Sequence, residues 1–346
     1  MKQYKNFLNH KIAFRCDYAD IPKIGSGHLY RSIIIAKFLQ KKFSLNPKQI
    51  VFIVKTKGKY LKNPKIISNH NFKIISLNAN VEDYSKEEAY YLKKIKANLL
   101  IIDRLGKVTK TFYETIKNNY KKKIIIDDSS INRKFFDLSL NPLIQNVPSF
   151  RYSKIGYKFL ILNIFNKKKK DIRTSLNNIF IFFGKFDNKN LTNKVIILLN
   201  KINFKLNLIL PLSYKKVIKI DKSKHKIIFF ESKKYFEALR KSNIAIMSGG
   251  ISLFDGVLNK KKIICIPQYK HQEYNAKKIA KLKVINYVDA GDKKFAEKII
   301  NLFLKIYKDE DYLKKINTVQ KRIINIKQVN NTLELISNIY DKSKNK

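Results

Sequence analysis

The sequence predicts an α/β protein of two doubly wound, Rossmann-like domains that face each other across a cleft. Three observations predict it. Apolar, β-branched runs alternate with helix-period stretches along all 346 residues, the pattern of parallel βαβ units with both sheet faces covered. The alternation breaks once, between residues 142 and 176, at Pro142, Pro148, the run Lys167 to Lys170 and a loss of periodicity. On each side of the break a strand runs into a glycine turn and then a helix, and each half is long enough to bury its own core. The domains are accordingly set at residues 1–160 and 171–346.

In the first half, strands are expected near 11–17, 49–54, 72–77, 98–103, 121–127 and 137–141. Helical patterns fall near 27–42, 85–96 and 109–119. The break reads as an inter-domain linker that holds one short apolar patch, GYKFLILNIF. In the second half, strands are expected near 178–183, 205–210, 226–230, 243–248, 262–266 and 284–288. Helices are expected near 190–200, 233–241, 251–259, 272–282 and 293–306. From about residue 310 the chain reads as helical, and it ends in DKSKNK, which looks disordered. Several strands end in carboxylates: Asp17, Asp103, Asp127 and Asp128. Ligands bind beyond the carboxyl ends of strands in open α/β sheets. Such residues also serve as helix caps and turn formers, the reading preferred for Asp128.

Hydrophobic residues make up 45% of the chain, which excludes a disordered polymer. No apolar run reaches the length of a membrane span. The start, MKQYKNFLNHKIAF, is basic but has no continuous apolar stretch and no small-residue cleavage site, so it is not a signal peptide. Cys16 and Cys265 lie far apart in apolar, strand-like runs, which argues against a disulfide framework or a cysteine metal site and for the reducing cytoplasm. The net charge is +47, from 73 basic and 26 acidic residues. Arginine, the preferred reader of phosphate and guanine, is scarce, and lysine is spread over every element instead of forming one stripe. Lysine, asparagine and isoleucine are over-used together, as under AT-rich codon drift. No specific nucleic-acid partner is expected, only weak, salt-sensitive binding to polyanions.

Two constellations carry chemistry. The first is CDYADIPKIGSGHLYRSIIIAKFL, Cys16 to Leu39. It reads as strand, glycine loop and helix start. Gly25, Ser26 and Gly27 let backbone N–H groups approach a ligand, and the helix start favours an anion such as a phosphate. His28 follows at once and is the candidate catalytic base, with Asp17 as its orienting partner or a sugar ligand. A tight turn with a solvated surface histidine is the plainer alternative. The second is NIAIMSGGISLFDGVLN, residues 243–259, followed by KKIICIP and QYKHQEYNAKKIA. Here Ser248, Gly249 and Gly250 form another strand–glycine–helix turn. Asp255, one to two turns into the helix, suits the two hydroxyls of a ribose; an exposed helical aspartate is the alternative. Gln272 and Asn275, three apart near the start of the next helix, suit sugar hydroxyls.

In combination, RCDxxxxIGxGHxxR, SGGxxLxx(D/E) and HQxxNA resemble the nucleotide-sugar enzymes of the GT-B fold. Among them the chain is most similar to the UDP-sugar hydrolases of pseudaminic-acid biosynthesis and to the spore-coat-polysaccharide glycosyltransferase-like proteins. The resemblance covers Phe14 to Arg31, LLIIDR at 99–104, IIIDDSS at 124–130, DLSLNPL at 137–143, and 243–276. It implies a catalytic role for His28 and a uridine diphosphate held by Ser248, Gly249, Gly250 and Asp255. Substrate contacts are also expected at Gly25, Ser26, Gly27, Arg31, Gln272 and Asn275. The first domain becomes the sugar and catalytic side, and the second the UDP side. The chain departs from the pattern at three places: Asp255 stands where glutamate is usual, Gly184-Lys185 where a glycine pair is expected, and Asn163 where an arginine is frequent.

The activity this implies is hydrolysis of a UDP-sugar at the anomeric C–O bond, releasing UDP and a free amino or deoxy sugar for surface-glycan synthesis. No metal and no cofactor are required by these residues. Two alternatives stand beside it. One is a GT-B glycosyltransferase, which would use the same nucleotide site with an acceptor hydroxyl in place of water. The other is a non-catalytic nucleotide- or polyanion-binding protein.

Overall fold

The computed structural model describes residues 10–19, 27–58, 60, 65–164, 175–184, 187–216, 218, 224–309 and 311–344. The expected glycine-loop residues Gly25 and Ser26, the run Lys167 to Lys170 and Lys185 lie outside them.

The chain divides into two compact units. The first comprises Met1–Ile161 and Lys327–Lys346. Its elements in chain order are β1 (Ile12–Cys16), α1 (Gly27–Lys42), β2 (Ile50–Lys55), α2 (Lys65–Ser68), β3 (Lys73–Leu77), α3 (Lys86–Lys93), β4 (Ala97–Gly106), α4 (Lys110–Ile116), β5 (Tyr120–Asp128), β6 (Leu138–Asn141) and β7 (Ser153–Ile155). All seven strands pair in parallel, in the order β3-β2-β1-β4-β5-β6-β7. The apolar runs form strands because both faces are covered: β1 and β2 are buried at every residue. Ser85 caps α3 through Glu88 N and Thr109 caps α4 through Phe112 N, each satisfying a helix-start donor.

The second unit, Leu162–Ile326, holds β8 (Ser175–Phe182), α5 (Leu191–Leu199), β9 (Asn207–Pro211), β10 (Lys226–Phe230), α6 (Tyr235–Lys241), β11 (Ser242–Met247), α7 (Ile251–Leu258), β12 (Lys262–Cys265), α8 (Lys270–Lys281), β13 (Asn286–Tyr287), α9 (Phe295–Lys308) and α10 (Tyr312–Ile323). Its sheet is also wholly parallel, ordered β10-β9-β8-β11-β12-β13. Both sheets follow the doubly wound order in which the direction of winding reverses beside the first strand. The reversal lies between β1 and β4 in one unit and between β8 and β11 in the other.

The last helix, α11 (Ile326–Asp341), departs from the expected 171–346 domain, because residues 327–346 cluster with the first unit. The contacts are specific. Tyr340 packs edge-on against Phe43 with ring centres 4.8 Å apart, Lys42 pairs with Glu334, and Thr332 Oγ1 donates to Lys158 O at 3.4 Å. Of the tail, residues 341–344 are described, and Ser343 is fully buried. The break at 142–176 holds one more strand, β7, too short for periodicity to reveal. Buried lysines absorb part of the charge: Lys262 Nζ donates to Ile306 O at 2.6 Å and Asp309 O at 2.7 Å, at the C-terminal end of α9. Among the described residues no helix is long and apolar enough to cross a membrane.

Candidate active site

In the first unit, α1 opens at Gly27, and His28, Arg31 and Ser32 share one face of its first turns. That face meets Asp103 on β4. Asp103 stands in register with Cys16, the last residue of β1, so the doubly wound order carries a fully buried carboxylate to the foot of α1. His28 Nδ1 lies 2.8 Å from Asp103 Oδ1. Arg31 donates through NH2 to Oδ1 at 2.5 Å and through Nε to Oδ2 at 2.8 Å. Its third nitrogen, NH1, donates to Asp127 Oδ2 on β5 at 2.6 Å. Burial alone would push the Asp103 carboxyl up, but the Arg31 guanidinium and the His28 hydrogen bond outweigh it and hold it below the usual carboxylate range. The imidazole remains partly accessible, with 15% of its side-chain surface exposed. A histidine held through one nitrogen by a buried carboxylate, with its ring partly open to solvent, is equipped to accept a proton at the other nitrogen.

The expectation that Asp17 orients His28 is corrected. Side chains alternate along a strand, so Asp17 falls on the sheet face opposite the one that Cys16 shares with Asp103. There it accepts from Arg15 NH1 at 2.6 Å and NH2 at 2.8 Å, and from Lys55 N at 3.2 Å. Arg15 also donates through Nε to Glu88 Oε1 at 2.6 Å, and Arg104 NH1 reaches the same oxygen at 2.6 Å. This is a buried charge network that joins β1, β4 and α3. Arg31, expected on the substrate, is fully engaged with Asp103 and Asp127 and only 1% exposed. Asp103 and Asp127 were visible in the sequence only as strand-end carboxylates. The missing signal was strand order, which sets the end of β4 beside the end of β1.

In the second unit, β11 ends in Ser248-Gly249-Gly250, and α7 begins at the next residue. Gly250 is the N-cap of α7, and no side chain caps that helix start. Its first backbone N–H groups therefore suit an anion. The start of α5 differs: Asp187 Oδ1 accepts from Leu191 N at 2.8 Å and Oδ2 from Thr192 N at 2.6 Å. Glycine at 249 follows from a close approach, because a Cβ there would meet the Gln272 carbonyl oxygen at 2.6 Å. Gln272 thus lies against the turn, and its Oε1 accepts from Gln268 N at 3.0 Å. Asn275, one turn further along α8, is buried.

Asp255 is buried, not exposed on α7. Tyr235 Oη donates to its Oδ2 at 3.4 Å. Burial pushes the Asp255 carboxyl up to about 7, against the opposing pull of that hydrogen bond. The Tyr235 ring packs edge-on against Phe180 and Phe182, with centres 5.6 and 5.1 Å apart, and lies 6.4 Å from Phe230. Phe230 in turn lines a cavity of about 320 Å³ at the carboxyl ends of β9 and β10, with Pro211, Leu212, Ser213, Glu231 and Ser232. Neither Tyr235 nor this cavity was singled out from the sequence.

No family model matches the chain, and no curated protein does. Solved structures do match, over nearly its whole length. MurG of Acinetobacter baumannii superposes with a TM-score of 0.67 at 13% identity, covering 96% of this chain and 99% of that one. Spinosyn rhamnosyltransferase SpnG, complexed with thymidine diphosphate, gives 0.64 at 8% identity, covering 95% and 99%. A glycosyltransferase from Rickettsia africae gives 0.57 at 14%, covering 97% and 99%. The chain has the GT-B fold. At these identities the likeness is one of fold, and the expected hydrolase finds no counterpart in the names of these structures. Within this GT-B chain, the His28 constellation lies at the winding reversal of the first sheet and the 248–250 turn at that of the second. Open α/β sheets bind ligands at these positions.

Proposed function

We propose that this protein is a GT-B glycosyltransferase that uses a UDP-sugar as donor. The observation that carries the reading is the His28–Asp103 pair, a partly open imidazole held at 2.8 Å by a buried carboxylate. His28 Nε2 takes the proton of an acceptor hydroxyl as that oxygen attacks the anomeric carbon. The C–O bond to the diphosphate breaks, and UDP leaves with the electron pair. A single displacement inverts the anomeric centre. Backbone N–H groups at the 248–250 turn meet the charge growing on the diphosphate. Asp255, which accepts from Tyr235 Oη, takes the ribose hydroxyls.

A second reading, hydrolysis with water in the acceptor's place, rests on the resemblance of Phe14 to Arg31 and of residues 243–276 to the hydrolase motifs. It uses the same base and the same nucleotide site. Incubation with a panel of UDP- and dTDP-sugars, with and without glycan and lipid acceptors, separates the two. Transfer to an acceptor supports the first reading. Free sugar formed at the same rate without acceptor supports the second. Absence of turnover with every donor, alongside tight UDP binding, leaves a nucleotide-binding protein and removes both.

A further inference from the structure

Two groups of opposite hydrogen-bonding sense face His28 Nδ1. Asp103 Oδ1, which only accepts, lies at 2.8 Å; Arg31 NH2, which only donates, lies at 3.3 Å. One ring nitrogen cannot serve both. The choice depends on where Arg31 aims its hydrogens. In the observed posture one hydrogen of NH2 and that of Nε are directed at Asp103, at 2.5 and 2.8 Å, and the second NH2 hydrogen makes only the longer contact with Nδ1. The Asp103 contact is the shorter of the two at Nδ1, so Nδ1 carries the proton and donates it to Asp103, which leaves the lone pair on Nε2.

Asp127 holds Arg31 in that posture. Its Oδ2 accepts from Arg31 NH1 at 2.6 Å. Its other oxygen accepts from Leu143 N at 3.2 Å, and its backbone sits in the left-handed region at φ 55°. Asp127 is thus anchored independently of α1. Without that anchor the guanidinium can turn about Nε and shorten the NH2 contact with Nδ1, which favours the opposite tautomer.

We propose that Arg31 and Asp127 are a positioning pair that locks His28 in the Nδ1–H tautomer and presents Nε2 as the base. The lock stands on this geometry alone; its consequence for rate rests on the transferase reading above.

Nitrogen-15 NMR of the neutral His28 imidazole tests it. The wild type should show Nδ1 protonated and Nε2 bare. Asp127→Ala should raise the Nε2–H fraction. Asp127→Asn, which keeps volume and an acceptor oxygen but drops the charge, should do so to a smaller degree and is the variant that best spares the fold. With an active donor and acceptor pair, the same variants should lower kcat by up to about 10²-fold, the effect of misplacing a reacting group, with KM for the donor unchanged. A wild-type ring protonated on Nε2 overturns the proposal without any variant. So does a tautomer unmoved in folded Asp127→Asn. A tautomer that shifts as described in a protein that turns over no sugar nucleotide upholds the lock and overturns the transferase reading instead.

Discussion

The hydroxyl of Tyr235 stands 3.4 Å from Oδ2 of Asp255, and the Tyr235 ring packs edge-on against Phe180 and Phe182. This pairing keeps a carboxyl out of water, and burial lifts its pKa to about 7. Unfolded, the group ionises near the ordinary value of about 3.9. Below that value both states hold the proton. Between it and about 7 only the unfolded state has lost it, so stability falls as pH rises, and the loss is complete above about 7. Asp255→Asn has no such group. Urea unfolding at about pH 5 and about pH 8 should show the wild type losing stability relative to the variant at the higher pH. A difference that stays constant with pH would contradict the buried, neutral carboxyl.

The same carboxylate is assigned to the ribose. Above about pH 7, where the carboxyl is ionised, Asp255→Ala should weaken UDP binding by about 1.5–3 kcal/mol, the range for a hydrogen bond to a charged group. Titration calorimetry reads this directly. Equal affinity in wild type and variant would remove Asp255 from the nucleotide site.

Gly249 and Gly250 differ in what surrounds them, which gives an internal control. A Cβ at 249 meets the Gln272 carbonyl oxygen at 2.6 Å, whereas one at 250 meets Gln272 Nε2 at an ordinary 3.6 Å. Gly249→Ala should cost about 1–3 kcal/mol, as overpacking does, and displace the start of α8. Gly250→Ala should leave unfolding nearly unchanged. Chemical denaturation of the pair checks it, and equal stabilities would mean that α8 does not press on the turn.

Asp17 belongs to the fold and not to the base. Its removal leaves the buried Arg15 guanidinium short of a partner, and breaking a buried pair costs about 3–5 kcal/mol. Asp17→Asn should lower the melting temperature while the His28 tautomer stays as in wild type. Burial alone would raise the Asp17 carboxyl, but Arg15 outweighs it and holds it below its ordinary value. Its contribution is therefore present above the unfolded carboxylate range and is lost as pH falls through the folded value. The stability gap between wild type and Asp17→Asn should close as pH falls, and a gap that stays constant into acid would contradict this.

Much of the fold was legible because buried parallel strands leave continuous β-branched runs, and helix α1 was placed at Gly27–Lys42 as observed. His28 and the 248–250 turn were legible because glycine punctuates the passage from strand to helix. What escaped depends on long-range order. Asp103 is 75 residues from His28, and only the pairing of β1 with β4 brings them together. Alternation along β1 sends Asp17 to the opposite face, which one-dimensional proximity to the glycine loop obscured. The attachment of α11 to the first unit and the burial of Asp255 under Tyr235 likewise come from packing between elements distant in sequence.

The central claim is that His28 removes the nucleophile's proton. Steady-state kinetics of His28→Asn with an active donor and acceptor pair test it most directly, alongside UDP affinity and melting temperature. The account predicts a fall in kcat of about 10²–10⁴-fold, the contribution of a general base, with UDP affinity and melting temperature close to wild type. A folded His28→Asn protein that turns over within a few-fold of wild type would contradict it.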